Sequence, residues 1–364
     1  MPTTTQKGDA KPFSKSNMYA DTAAALRHHD AMDCGVIQLP QMSFWNLAAK
    51  DKTPEQKQHI IDRAQTLQAG INLSYENKIL HARKVIKQAF DREEEDGVRW
   101  AISFSAGRDS TALSHMLVAD LGITRVPHVM SNTRMEYPET LKMFKQWREW
   151  LQERGVECHQ VFPDIRPKEL WPKIGVPLWS KQVAYKYRKF VTSKSGKMPS
   201  HVPEDLHDQF RQAKAAGLKI TEKCCDYLKK KPLKKWDKEH GITGHFTGVR
   251  CSESRARCLA WITSGALYQA TSHGGLWISN PLAFWTEKDV ERYLAENNIE
   301  VLRPNTVNGG SGCVTCLFGN RAREAEGNPN AMQELKISNP KMHACALDEW
   351  GYREVLDTLG VPYE

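Results

Sequence analysis

Apolar positions in this chain recur at two spacings, and the spacing changes mark its elements. Residues 54–68 and 75–92 repeat at helical period, the second placing Ile79, Ala82, Val85, Ile86 and Phe90 on one face. Residues 98–104 then form a short apolar run. A tight Ser/Gly turn follows, and a helical pattern over 112–121. Strand patterns at 125–131, 158–162, 245–249 and 276–280 alternate with helical ones at 139–154, 252–263 and 286–298, the last with Thr286 as N-cap. Strands alternating with helices predict an α/β fold with a doubly wound parallel sheet. Such a sheet binds ligands at the carboxyl ends of its strands.

The pattern divides the chain. Residues 1–20 are rich in Thr, Lys, Ser and Pro and are expected to be disordered, and 21–74 form a helical extension. Residues 75–300 are expected to form the α/β domain, interrupted by a Pro/Gly-punctuated basic insertion at about 163–240. Residues 301–364 form a Cys-rich and helical end, with a loop or metal knuckle over 305–320. With 40% hydrophobic and 26% charged residues in 364, the composition is that of an ordinary soluble protein. No apolar run reaches the ~20 residues needed to span a bilayer. The polar start of the chain lacks the core of a signal peptide, so a cytoplasmic protein without a membrane partner is expected.

Charge sharpens this picture. The net charge is +8, and residues 181–240 hold sixteen Lys/Arg against seven Asp/Glu, interleaved with Tyr185, Tyr187, Phe190, Tyr227 and Trp236. That mixture suits a nucleic acid or another polyanion, and equally a solvated helical surface. Nine cysteines, an odd number in such a chain, point to metal or thiol chemistry rather than disulfides.

The candidate chemistry begins at residues 103–111, Ser-Phe-Ser-Ala-Gly-Arg-Asp-Ser-Thr. A strand running into a Ser/Gly turn that opens a helix aims backbone N–H groups and a helix dipole at one point, an anion site. Gly107 permits close approach. Ser103, Ser105, Ser110 and Thr111 supply hydroxyls and Arg108 a fixed charge. Ala106, with its Cβ, is expected to keep a negative φ. The spacing is not that of a Walker loop. Two further motifs fall after later strands. Asn132-Thr133-Arg134-Met135-Glu136-Tyr137-Pro138-Glu139-Thr140 puts Thr133, Glu136 and Glu139 on the loop's edge of the sheet. Thr247-Gly248-Val249-Arg250, with Ser254 and Arg257 beyond, supplies two guanidiniums that can grip a phosphate.

The loop resembles the Ser-Gly-Gly-x-Asp-Ser loop of ATP pyrophosphatases, with Ala106 for the first Gly and Arg108 for the common Lys. All three motifs together resemble the phosphoadenosine-phosphosulfate reductase family of adenine-nucleotide α-hydrolase-like proteins. Pro138-Glu139-Thr140, Arg250, Ser254 and Arg257 match its Pro-Glu-Thr and Thr-Gly-x-Arg elements, and Asn280-Pro281-Leu282, Trp285-Thr286 and Asp289-Val290 match its later segment. Asn132 and Arg134 depart from its Asp-Thr-Gly. Four soft sulfurs, Cys224-Cys225 and Cys313-x-x-Cys316, suit an iron–sulfur cluster or a tetrahedral zinc. Their order is similar to the [4Fe–4S] site of the adenylyl-sulfate-reducing branch. The lysine run after Cys225 also resembles that family.

Three functions follow from the resemblance. The first is an ATP- and Mg²⁺-dependent sulfur-transfer enzyme, similar to the ATP-pyrophosphatase component of DNA phosphorothioation systems. In it Ser105, Gly107 and Ser110 cradle pyrophosphate, Arg108 neutralises it and Asp109 holds Mg²⁺. Arg250 and Arg257 grip the α-phosphate or the acceptor. Its partners are DNA, or tRNA on the same chemistry, and a cysteine desulfurase or other sulfur donor. The second is a phosphoadenylyl- or adenylyl-sulfate reductase, whose family places its nucleophile in a Glu-Cys-Gly-x-His tail. Here Gly360-Val361-Pro362-Tyr363-Glu364 follows with no cysteine after Cys345. The third is a catalytically idle nucleotide sensor. Asp109 and Ser110, the pair retained by ATP pyrophosphatase loops, decide for ATP.

Overall fold

Residues 53–270, 274–302 and 312–364 are described in the computed structural model; the expectations for residues 1–52 and for 303–311 lie outside them. Two helices lead in. Helix α1, Pro54–Ile71, starts on a reciprocal cap in which Thr53 and Gln56 satisfy each other's backbone N–H. Helix α2, Tyr75–Asp96, is capped by Ser74 and stopped by Gly97 at φ 66°. Then come β1 (Trp100–Ser103), α3 (Arg108–His115) with a single π turn at Met116–Asp120, β2 (His128–Ser131), α4 (Pro138–Gln152) and β3 (Cys158–Val161). The expected insertion holds α5 (Pro167–Ile174), β4 (Leu178–Trp179), α6 (Lys181–Thr192), α7 (His207–Ala215) and α8 (Lys231–His240).

The chain then returns to the sheet through β5 (Gly244–Phe246), α9 (Arg255–Ser264), β6 (Leu267–Ala270), β7 (Leu276–Ser279) and α10 (Glu287–Glu296). It closes with β8 (Leu317–Phe318), α11 (Asn320–Ala325), α12 (Ala331–Ser338), α13 (Pro340–Asp348) and α14 (Tyr352–Leu359). The main sheet has the order β3-β2-β1-β5-β7-β6. Every pairing is parallel except that of β6 with β7. The α/β doubly wound sheet of the sequence reading is therefore present. Strand order reverses between β1 and β5, which opens a crevice beyond their carboxyl ends.

Each face is covered. Ile102, Phe104, Leu113, Met116, Phe144, Trp147 and Phe246 form one core with α2, α3 and α4. On the other face Ala101 and Val129 pack under Trp236 and Ile242, so α8 lies across β1 and β2. Helix α1 lays Ile60, Ala64 and Leu67 against Cys258, Trp261 and Ile262 of α9. A separate large core joins α5 to α7 with the C-terminal helices; Trp171, Tyr187 and Phe210 pack there with Leu317, Met332, Tyr352 and Leu356. β4 pairs with β8 in this annex. Burying each such side chain contributes about 1.5–3 kcal/mol. Two resemblance residues serve the fold itself. Trp285 is fully buried and its Nε1 donates to the Lys78 carbonyl, and Asp289 caps α10 while pairing with Lys78 at 2.7 Å.

Strand β6, between Gly265 and Gly274-Gly275, was not expected. Only Ala270 of its four residues is buried, which leaves little apolar alternation to find. The arginine-bearing helix starts at Arg255 rather than 252, because Cys251–Glu253 forms a 3₁₀ turn and Ser254 provides the cap.

Candidate nucleotide and cysteine site

Loop 104–107 joins β1 to α3 at the strand-order reversal. Ser105 and Ser110 staple it. The Ser105 N–H donates to Ser110 Oγ at 3.3 Å, the two hydroxyls lie 3.1 Å apart, and Ser110 Oγ donates to the Gly107 carbonyl at 3.0 Å. Gly107 is the N-cap residue in an extended conformation with no side-chain cap, so the first-turn N–H groups of α3 face the crevice. Gly248, two residues beyond β5, presses on that turn: a Cβ there would stand 2.8 Å from the Asp109 carbonyl carbon and 2.9 Å from the Ser110 nitrogen.

Ala106 corrects the expectation of a negative φ. It sits at φ 57°, in the left-handed region, and is 2% exposed. Its methyl packs in the α3 core, and that packing holds a conformation costing about 1–2 kcal/mol for an L-residue. Arg134, at the Gly position of the second motif, behaves alike with φ 66°. There Asn132 Oδ1 accepts the Arg134 N–H at 2.7 Å, and the guanidinium lies over the Phe162 ring at 4.9 Å. Both departures from the family's glycines keep the backbone that glycine would take.

The charged residues meet one another. Arg250, 6% exposed, donates from Nε to Asp109 Oδ1 at 2.7 Å and from Nη1 to Ser252 Oγ at 3.0 Å. Arg257 pairs with Glu253 at 2.6 Å, and Ser254 caps α9. Arg108 reaches α10, at 2.5 Å from Glu287 and 2.8 Å from Glu291. Thr111 is fully buried with its hydroxyl unpartnered, on the core side of α3 rather than in the crevice. Sequence reasoning missed Ser252, Glu253, Glu287 and Glu291. The first two lie inside the arginine motif, whereas the glutamates are 180 residues from the loop and give no local signal.

The second motif turns toward the cysteines. Thr133 Oγ1 lies 2.9 Å from Glu136 Oε1 and 3.4 Å from Cys313 Sγ, and the Val314 N–H donates to the Met135 carbonyl at 2.9 Å. Glu139 stands in the first turn of α4, half-buried. Cys224, Cys225, Cys313 and Cys316 line one cavity of about 20 Å³ with Trp171, Lys229 and Thr315, room for a single water. All four are free thiols. The hydrogen bond from Cys224, with Lys181 and Lys229 nearby, pulls Cys225 down and pushes Cys224 far up. Burial pushes Cys313 up to about 11. Burial also works against the Lys229 ammonium, but Cys313, Glu136, Cys225 and Cys316 outweigh it and hold the lysine charged.

The structure thus gathers the cysteines that sequence spacing singled out. Among the described residues no three His, Cys, Asp or Glu side chains are placed to hold a metal ion. Four soft thiols line this cavity beside a half-buried cation and a hydroxyl, a set whose chemistry suits thiolate ligation spread over several irons rather than one tetrahedral ion.

A family model described as the phosphoadenosine phosphosulfate reductase domain matches residues 99–303. Among solved structures, the crystal structure of phosphoadenylyl-sulfate reductase from Candida auris, a phosphate complex, is similar at 17% identity and TM-score 0.39, covering 74% of this chain and 92% of that one. No curated protein matches the chain.

Proposed function

The chain belongs to the phosphoadenosine phosphosulfate reductase domain family, and from that premise we propose that it is an ATP-dependent sulfur-transfer enzyme acting on a nucleic acid. The observation that carries this reading is Asp109, a carboxylate on the first turn of α3 at the mouth of the anion site. A negative group beside a phosphate is repulsive unless a divalent cation bridges the two. A magnesium nucleotide therefore fits better than a bare phosphosulfate. Arg250 balances Asp109 when no cation does, and is then placed to turn to a phosphate oxygen.

In this reading the loop amides and Ser105 hold pyrophosphate. Asp109 holds Mg²⁺, and Arg250 stabilises charge on the α-phosphate as an acceptor attacks and pyrophosphate leaves. Arg257, tied to Glu253, keeps the arginine segment in place. Cys224, Cys225, Cys313 and Cys316 would hold a [4Fe–4S] cluster, which when bound supplies redox-active iron near the sulfur chemistry. The exposed lysines of α6 and α8 would follow a phosphate backbone in DNA, or in tRNA.

A second reading, reduction of a phosphosulfate, is favoured by one observation. Glu287 and Glu291 neutralise Arg108, which leaves the loop less positive than a triphosphate would favour. Pyrophosphate release from ATP with Mg²⁺, abolished in Asp109→Ala, supports the first reading; sulfite release from a phosphosulfate without ATP cleavage replaces it with the second. Anaerobically purified protein should carry iron and inorganic sulfide that Cys225→Ser and Cys313→Ser lose, and iron-free wild type would remove the cluster.

A further inference from the structure

Beneath the loop Ser103 joins a hydrogen-bonded chain whose other members, His245 and Asp237, none of these roles uses. Asp237 on α8 and His245 on β5 are buried, 5% and 3% exposed, and Asp237 Oδ1 lies 2.9 Å from His245 Nε2. His245 Nδ1 lies 3.0 Å from Ser103 Oγ. Ser103 is the last residue of β1, immediately before the loop, and is only half-buried. A carboxylate can only accept, so His245 carries its hydrogen on Nε2. In the neutral ring Nδ1 is then bare and accepts the Ser103 hydroxyl hydrogen. The lone pairs of Ser103 Oγ are left over, one residue before the loop.

We propose that Ser103, His245 and Asp237 form a proton-accepting relay at the floor of the nucleotide site, serving a nucleophile that brings its own hydrogen, an O–H or S–H group. This rests on reading the loop as a nucleotide site. As the nucleophile's oxygen or sulfur bonds to the α-phosphorus, the bond to pyrophosphate breaks and its electron pair leaves with pyrophosphate. The nucleophile's proton passes to Ser103 Oγ while the Ser103 proton passes to His245 Nδ1. Asp237 balances the imidazolium that results. An acceptor already ionised, such as a phosphodiester oxygen, has no proton to give. The relay therefore assigns the protic step to a hydroxyl or to a sulfur nucleophile.

The test uses the full chain with ¹⁵N-labelled histidine and an α,β-methylene ATP analogue. The His245 ring signals, identified by their loss in His245→Gln, should report Nε2–H and a bare Nδ1. The Nδ1 signal should shift when the analogue saturates, and not in Ser103→Ala. In turnover, His245→Gln and Asp237→Asn should lower kcat for pyrophosphate release about 100-fold or more, the scale of general-base catalysis, with KM for ATP and the melting temperature unchanged. Loss of folding in both variants leaves the Ser103→Ala spectrum to decide. An unmoved His245 signal with analogue bound, or unchanged kcat, overturns the relay alone. Failure of wild type to bind the analogue overturns the nucleotide reading and the relay together.

Discussion

The turns after β1 and β2 stand side by side and solve one problem in different ways. Each carries a left-handed residue where its family pattern has glycine, Ala106 in the first and Arg134 in the second. Ala106 is buried in the core and held by packing, whereas Arg134 is exposed and held by the Asn132 side chain and the Phe162 ring. The turn after β1 is thus rigid from within. The turn facing the cysteines is braced from its surface. Strain in a backbone persists only where its surroundings over-determine it, and here those surroundings are a core in one case and two local contacts in the other.

Valine breaks the comparison most sharply. Ala106→Val adds two methyls to a packed core on top of left-handed strain, and should destabilise by about 3 kcal/mol or more. Arg134→Val meets solvent and should cost about 1 kcal/mol. Equal losses in denaturant unfolding would mean that the two turns are not held differently. Gly248→Ala attacks the first turn from outside, since its Cβ meets backbone that cannot swing aside. About 1–3 kcal/mol of stability and most nucleotide affinity should go, read by unfolding and by titration calorimetry. Retained affinity would show that the turn is softer than its packing implies.

Acid tests what the two turns share. His128 of β2, the strand before the second turn, bonds Ser114 of α3, the helix after the first, at 2.7 Å and lies fully buried. Burial lowers its pKa from 6.5 to about 3. Between those values the unfolded chain binds a proton that the native protein refuses, so stability falls as pH drops through that window. The slope approaches 1.4 kcal/mol per pH unit, and should flatten in His128→Asn. The smallest effect belongs to Ala106→Gly. Relief of about 1–2 kcal/mol is offset by a lost methyl, about 0.8, and by glycine's entropy, about 0.5–1, for a net change near zero. A gain above about 1 kcal/mol would mean that the methyl packs poorly.

Much of the sheet was legible because its signals are local. Apolar runs, Ser and Thr caps and the order of three strand-end motifs placed β1, β2, β5 and the loop within a few residues. The anion site, the cysteine quartet and the arginine segment could be named for the same reason. What failed was non-local or conformational. The annex core joins α5 to α7 with helices more than a hundred residues later, so no window of sequence contains it. Asp109 with Arg250, and Arg108 with Glu287, exist only because the chain crosses β1 and β5 at the reversal. His245 and Asp237 lie on a strand and a helix, at a separation with no periodic meaning. The sign of φ at Ala106 was misread because a side chain's preference was weighed without the core around it.

That alanine bears on how separable the loop is. A glycine-rich phosphate loop carries its shape largely in its own residues and can be moved between proteins as a cassette. Segment 103–111 cannot, because its turn is imposed by helix α3, strand β5 and the core they share. Grafted alone onto another strand–helix junction, it would relax to a different bend. The transferable unit is the junction of β1, α3 and β5 together, some 150 residues of chain brought to one point.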